Sequence, residues 1–97
     1  MIKTERDYYI YMPNALSPNG DGINDIYEPI YSGVDRWVIR IYDRWGNKVF
    51  ESRDFNTLWN GTRNGTELPI GVYAYHIYAE YLNLETYTNS GSITLVR

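Results

Sequence analysis

The sequence predicts an all-β chain, an immunoglobulin-like antiparallel β-sandwich of about seven strands. Three observations carry this. Apolar residues alternate with a period near two, as in Trp37, Ile39 and Ile41, and no stretch shows a helical period. Turn-forming pairs punctuate the chain at short intervals: Pro13-Asn14, Gly46-Asn47, Asn60-Gly61 and Asn64-Gly65. The aromatic complement is 11 Tyr and 3 Trp against 2 Phe. Tyr and Trp suit half-buried sheet positions, with an apolar ring inside and a polar tip in water.

Taken in order, Tyr8-Tyr9-Ile10-Tyr11-Met12 reads as a first strand closed by Pro13-Asn14. A loop follows, and Ile26 to Tyr31 is extended, with Pro29 confining it to an edge or a bulge. Trp37 to Tyr42 is the clearest strand. Its core face is Trp37, Ile39 and Ile41, because Val38, Arg40 and Tyr42 on the other face include the charge. Asp43 to Asn47 reads as a hairpin turn and Lys48 to Ser52 as its return strand. Leu58 to Gly65 holds two Asn-Gly turns. Gly71 to Glu80 is the longest strand, with Tyr73, Tyr75, Ile77 and Ala79 on one face. Thr86-Tyr87-Thr88 reads as a short strand. Gly91 to Arg97 reads as a separate last one, docked and with Ile93 and Leu95 inward.

The chain of 97 residues argues for a single domain, 1–97, in which residues 1–12 supply the first strand together with linker residues. The net charge of -3 and the absence of a Lys/Arg run argue against nucleic acid as a partner. No apolar run approaches a membrane span, so direct membrane insertion is not expected. Met1 to Asp7 has no apolar signal core; if the chain is a fragment of a longer protein, an export signal is expected upstream of it. Without cysteine there are no disulfides, zinc-thiolate sites or thiol catalysis.

Ser17-Pro18-Asn19-Gly20-Asp21-Gly22-Ile23-Asn24-Asp25-Ile26-Tyr27-Glu28 has the spacing of a calcium loop. Ser17, Asn19, Asp21, the Ile23 carbonyl, Asp25 and Glu28 fall at ligand positions 1, 3, 5, 7, 9 and 12, with Gly22 at the sharp turn. Ser17 stands where a carboxylate is expected, and the flanks are extended rather than helical. The same residues also build consecutive Asx turns. Calcium loop and tight structural turn both stand open. No cofactor is required, and calcium is the ion the loop would take.

Other candidates are weaker. His76 is the single histidine, on an outward strand face with no triad motif around it. Asp43 and Glu51 flank a hairpin as a glycosidase acid pair would, yet turn-flanking carboxylates are commonly just solvated. Asn60-Gly61-Thr62 and Asn64-Gly65-Thr66 match the glycosylation sequon but read first as turns. Exposed tyrosines offer a sugar-stacking platform or, more simply, sheet packing. Trp45 is either an interface anchor or a lid folded over its hairpin. No convergent catalytic set emerges, so an enzyme is not expected.

Four stretches in order resemble a known family: Pro13 to Asp25, Ile41 to Ser52, Trp59-Asn60-Gly61 through Pro69-Ile70-Gly71-Val72-Tyr73-Ala74-Tyr75, and Gly91 to Arg97. Together they resemble the gliding-motility-associated C-terminal domain, the type B sorting domain of the type IX secretion system. The middle portion is also similar to the immunoglobulin-like module of flagellar-hook-capping proteins. The resemblance implies a C-terminal signal on a large cargo protein, which crosses the inner membrane first and is then exported to the cell surface or medium of a Gram-negative bacterium. It implies the type IX translocon and a PorP/SprF-like outer-membrane β-barrel as partners. Separately from the resemblance, the isolated domain is expected to be a monomer. Candidate partner-binding residues are Asn19, Asp21, Asn24, Asp25, Arg44 and Trp45 at loop tips, and Ile93, Leu95 and Arg97 on a final strand that would pair with a partner strand if it lies at an edge. The alternative reading is a calcium-dependent adhesion or carbohydrate-binding sandwich.

Overall fold

A computed structural model describes residues 8–20, 22 and 25–97. Among them nine strands form: β1 (Tyr9–Tyr11), β2 (Ala15–Leu16), β3 (Ile30–Ser32), β4 (Val34–Tyr42), β5 (Lys48–Ser52), β6 (Thr62–Arg63), β7 (Thr66–Glu67), β8 (Gly71–Tyr81) and β9 (Thr86–Leu95). The all-β sandwich expected from the alternation is the fold observed. One layer is a five-stranded sheet in the order β2-β9-β8-β4-β5. The other is discontinuous, made of the β1–β3 ribbon, the β6–β7 hairpin and an isolated bridge between Tyr27 and Trp59.

The inner face of the large sheet follows from the alternation of side chains along each strand. Trp37, Ile39 and Ile41 of β4 lie opposite Ala79, Ile77 and Tyr75 of β8, and all six are buried. Across β8, Tyr75 meets Gly91 and Tyr73 meets Ile93. Large residues sit beside small ones, Trp37 beside Ala79 and Tyr75 beside Gly91, and the Tyr75 ring lies over Gly91. The second layer closes this face with Met12, Tyr27 and Trp59. The Tyr27 N–H donates to the Trp59 carbonyl at 2.8 Å. The Trp59 ring meets Tyr73 edge-on at 5.3 Å, and its indole N–H donates to the Thr62 carbonyl at 3.1 Å. Tyr31 and Phe55 close the far side of Trp37, with centroids 4.8 and 4.7 Å from it.

Three boundaries differ from the sequence reading. The two expected strands Thr86–Thr88 and Gly91–Arg97 are one strand, β9, in unbroken register with β8 from Thr86 to Leu95. Asn89-Ser90-Gly91 resembles a turn in composition, but a Cβ at Gly91 would lie 2.7 Å from the Tyr75 ring, so the glycine there serves packing. Secondly, the sheet is not wholly antiparallel. β2, expected as loop, runs parallel to β9 with Leu16 beside Leu95. The Thr94 and Val96 N–H groups donate to the Asn14 and Leu16 carbonyls, both at 2.9 Å. Burial of Leu16 draws this short piece onto the sheet. Thirdly, the Asn64-Gly65 turn joins a small hairpin, β6–β7, in which both turn residues have positive φ (54° and 81°), the pattern a tight hairpin requires.

Candidate recognition surface

Strand direction gathers the loops. Leu16, Leu95, Gly71 and Ala74 with Tyr42 form successive register pairs across the sheet. The segment after Leu16, the β4–β5 hairpin, the segment before Gly71 and the residues after Leu95 therefore share one end of the sandwich, here termed the loop end.

The β4–β5 hairpin is held by Asp43. Its Oδ1 accepts the N–H of Trp45 and of Asn47, each at 2.9 Å, and its Oδ2 accepts the Asn47 side-chain amide at 3.2 Å. Gly46, with φ of 84°, donates its N–H to the Asp43 carbonyl at 3.0 Å. Desolvation works to raise the Asp43 pKa, but the bonds from Asn47 and Trp45 and the charge of Arg63 outweigh it and hold the carboxyl below its usual range. With its turn fixed in this way, the hairpin presents Trp45 outward at 74 % exposure. The Arg44 guanidinium lies 5.1 Å from the Trp45 ring centroid, a cation–π distance. Ile70 and Val72, also exposed, line the same shallow cleft as Arg44 and Trp45. Of the two readings of Trp45, the exposed one is observed.

The loop after β2 is organised by Asp25. Its Oδ1 accepts the N–H groups of Asn19 and Gly20 at 3.1 and 3.0 Å, and its Oδ2 accepts that of Gly22 at 2.7 Å. Ser17 takes part through its carbonyl, which accepts the Asn19 N–H at 2.9 Å, and its hydroxyl, which accepts the Asn19 side-chain amide at 3.4 Å. Three amide dipoles thus point at the Asp25 carboxylate, each with its positive end toward the oxygens. Glu28 is exposed at the end of the loop. Asp21, Ile23 and Asn24 lie outside the described residues. Among the described residues no group of three or more His, Cys, Asp or Glu side chains gathers in metal-binding geometry.

Arg97 ties the end of the chain to the β6–β7 hairpin. Its guanidinium donates to the Leu68 carbonyl at 2.6 Å and the Gly61 carbonyl at 3.2 Å, and lies 3.9 Å from Glu67. Ile93 and Leu95 are different. Both are fully buried, and the outer side of β9 beside them is occupied by β2. The Ile93 and Leu95 side chains therefore do not face a partner, and β2 occupies the edge at Thr94 and Leu95, a correction to the docking edge expected there, while Arg97 stays exposed. Sequence reasoning misses two contributors to the loop end, Val72 on the non-core face of its strand and Ile70 in the Pro69–Gly71 turn. An apolar residue on a polar face, and another just after a proline, are the signals that point to them.

The remaining candidates take structural roles. Glu51 is held by Lys48 at 2.5 Å and by Arg40 at 3.2 Å. The Lys48 bond foremost, with Arg40, lowers its pKa against partial desolvation. Asp43 and Glu51 are both stabilised as anions, opposite to what a general acid needs. His76 is half-buried on the outer face between Arg40 and Ser90. The Thr62 hydroxyl donates to the Asn60 side chain at 2.6 Å within its turn.

The chain is a small all-β sandwich whose Asp43 and Asp25 carboxylates hold the loops at one end. The family model for the CHU_C Type IX secretion signal domain matches residues 10–95, and the chain belongs to that family. Among solved structures, CopC from Methylosinus trichosporium OB3b is similar, with a TM-score of 0.63 and 13% identity over 90% of this chain and 93% of that one. At that identity the likeness shows a shared fold. A comparison with curated protein sequences finds no match.

Proposed function

We propose that this domain is the export signal of a large cargo protein, read in its folded state by the type IX translocon together with a PorP/SprF-like outer-membrane β-barrel. The cargo enters the periplasm first and is delivered to the cell surface or the medium. The observation that carries this reading is the loop end: Trp45, 74 % exposed, stands on a hairpin whose turn is fixed by Asp43, beside Arg44, Ile70 and Val72. An exposed tryptophan on a rigid support loses little conformational entropy on docking and buries a large area, which is the behaviour of an interface anchor.

The test fuses residues 1–97 to a periplasm-exported reporter and compares a strain with an intact secretion system with a translocon-null strain. Delivery to the surface only in the intact strain is expected. Trp45→Ser is expected to lower that delivery by about tenfold, the loss of a single hot-spot contact, with little change in melting temperature. Equal delivery in both strains refutes the function. Full delivery of Trp45→Ser moves recognition away from the loop end.

A further inference from the structure

The two edges of the large sheet are built differently. The β5 edge carries Lys48 and Glu51, with Arg53 following, and a register shift between Ile41 and Tyr42 in its pairing with β4. Charge and irregularity of this kind are how a sheet edge is kept from accepting another strand. The β9 edge has neither. β2 covers it only at Thr94 and Leu95. The rest, Thr86-Tyr87-Thr88-Asn89-Ser90-Gly91-Ser92, contains no charge and no proline, and pairs with β8 without a register shift.

Backbone groups alternate sides along a strand. Thr94 and Val96 direct their N–H groups to the β2 side, so Thr88, Ser90 and Ser92 direct theirs the same way. Among the described residues nothing pairs with these three on that side. We infer that the Thr86–Ser92 edge of β9 accepts an extended segment of a protein partner as an added strand. This rests on the secretion-signal reading and adds a second contact to the loop end. Residues of the incoming segment on the core side would lie beside Tyr87, Asn89 and Gly91, next to the Tyr75 ring, and suit uncharged side chains. Those on the outer side would lie beside Thr88, Ser90 and Ser92.

A second copy of this chain fits less well. Seven residues of strand are about 24 Å long, a single strand pair that falls well short of the roughly 1,600 Å² a stable dimer interface buries. A transient encounter with a transport component asks for no more than such a contact provides.

Amide hydrogen exchange on the isolated domain and export of the reporter fusion test this together. Thr88, Ser90 and Ser92 are expected to exchange at least about 100-fold faster than Asn89, Gly91 and Ile93, which face β8. Protection of the first set shows the edge already covered and overturns the proposal. Thr88→Lys places a charge on the edge. Ser90→Pro removes an outward N–H without touching the β8 ladder. Each is expected to cut export by about tenfold while the melting temperature holds within about 3 °C. Asn56→Lys, the same added charge on an exposed site away from β9, is expected to leave export unchanged. Wild-type export with equal export of Thr88→Lys and Ser90→Pro overturns the added strand and leaves the export signal standing. Failure of the wild-type fusion itself overturns the export reading, and this inference with it. A dimer in sedimentation velocity that Thr88→Lys dissociates assigns the edge to a second copy and overturns the partner strand.

Discussion

Replacing Tyr27 by Phe is expected to stabilise the domain. Tyr27 is 2 % exposed, and among the described residues its hydroxyl has no hydrogen-bond partner. The ring packs against Tyr75 at 6.3 Å and the backbone N–H pairs with Trp59, and Phe keeps both. An unsatisfied buried hydroxyl costs about 1–3 kcal/mol. The dispersion attraction of the one oxygen removed offsets a few tenths of that, leaving a gain of about 1 kcal/mol. For a chain of this length that is roughly 5 °C in melting temperature. Urea denaturation should show a higher midpoint with an unchanged slope.

Alkaline pH makes the test sharper. Burial foremost, and then the neighbouring Tyr75 and Tyr11, push the Tyr27 pKa far above the ordinary phenol value. In the unfolded chain Tyr27 ionises above about pH 10, while in the folded one it stays protonated. The raised folded pKa means that stability is whole below about pH 10 and is lost as pH rises. The wild type should therefore lose up to about 1.4 kcal/mol more per pH unit above 10 than Tyr27→Phe does. A Phe variant that is less stable by about 1 kcal/mol or more at neutral pH, with a parallel alkaline profile, refutes the reasoning. It shows that the hydroxyl is satisfied in the folded state.

Four further outcomes are expected. Gly91→Ala puts a methyl 2.7 Å from the Tyr75 ring and should cost about 1–3 kcal/mol in urea denaturation, since the ring is packed on its other side by Tyr27. Asp43→Asn should be less stable than wild type at neutral pH. Because the folded pKa of Asp43 is depressed, the difference in melting temperature should shrink as pH falls from about 4 through the folded value. Arg97→Ala removes two charge-assisted bonds to carbonyls and should cost about 1 kcal/mol, read as a lower urea midpoint. Asp25→Ala frees three N–H groups and should cost about 1 kcal/mol, while millimolar calcium should shift the wild-type melting temperature by less than about 1 °C. A rise of several degrees with calcium that Asp25→Ala abolishes would instead establish the calcium loop.

Much of the fold is legible in local order. Trp37, Ile39 and Ile41, and Tyr73, Tyr75, Ile77 and Ala79, occupy the core face that alternation assigns them. The Asp43–Asn47 turn and its return strand β5 fall where composition puts them. The site is legible in part. Asn19, Asp25, Arg44 and Trp45 do lie on loops at one end, while Ile93 and Leu95 do not face outward. An inward-pointing residue at a sheet edge and one in a sheet interior share the same alternation, so the sequence holds no sign of which strand has a neighbour.

By itself the sequence determines an all-β chain, the inward face of each long strand, the turns that join them and, through its ordered signature, the family. Those properties depend on neighbours along the chain. Tertiary structure decided that Leu16 lies parallel to Leu95, that Gly91 makes room for Tyr75, that Asp25 gathers amides, and that Trp45 and Ile70 share a cleft. It also decided that the β9 edge stays uncovered from Thr86 to Ser92 among the described residues. Each of these depends on groups distant in sequence meeting across the sheet. Period and turn chemistry specify how a strand is oriented, and packing alone specifies what lies beside it.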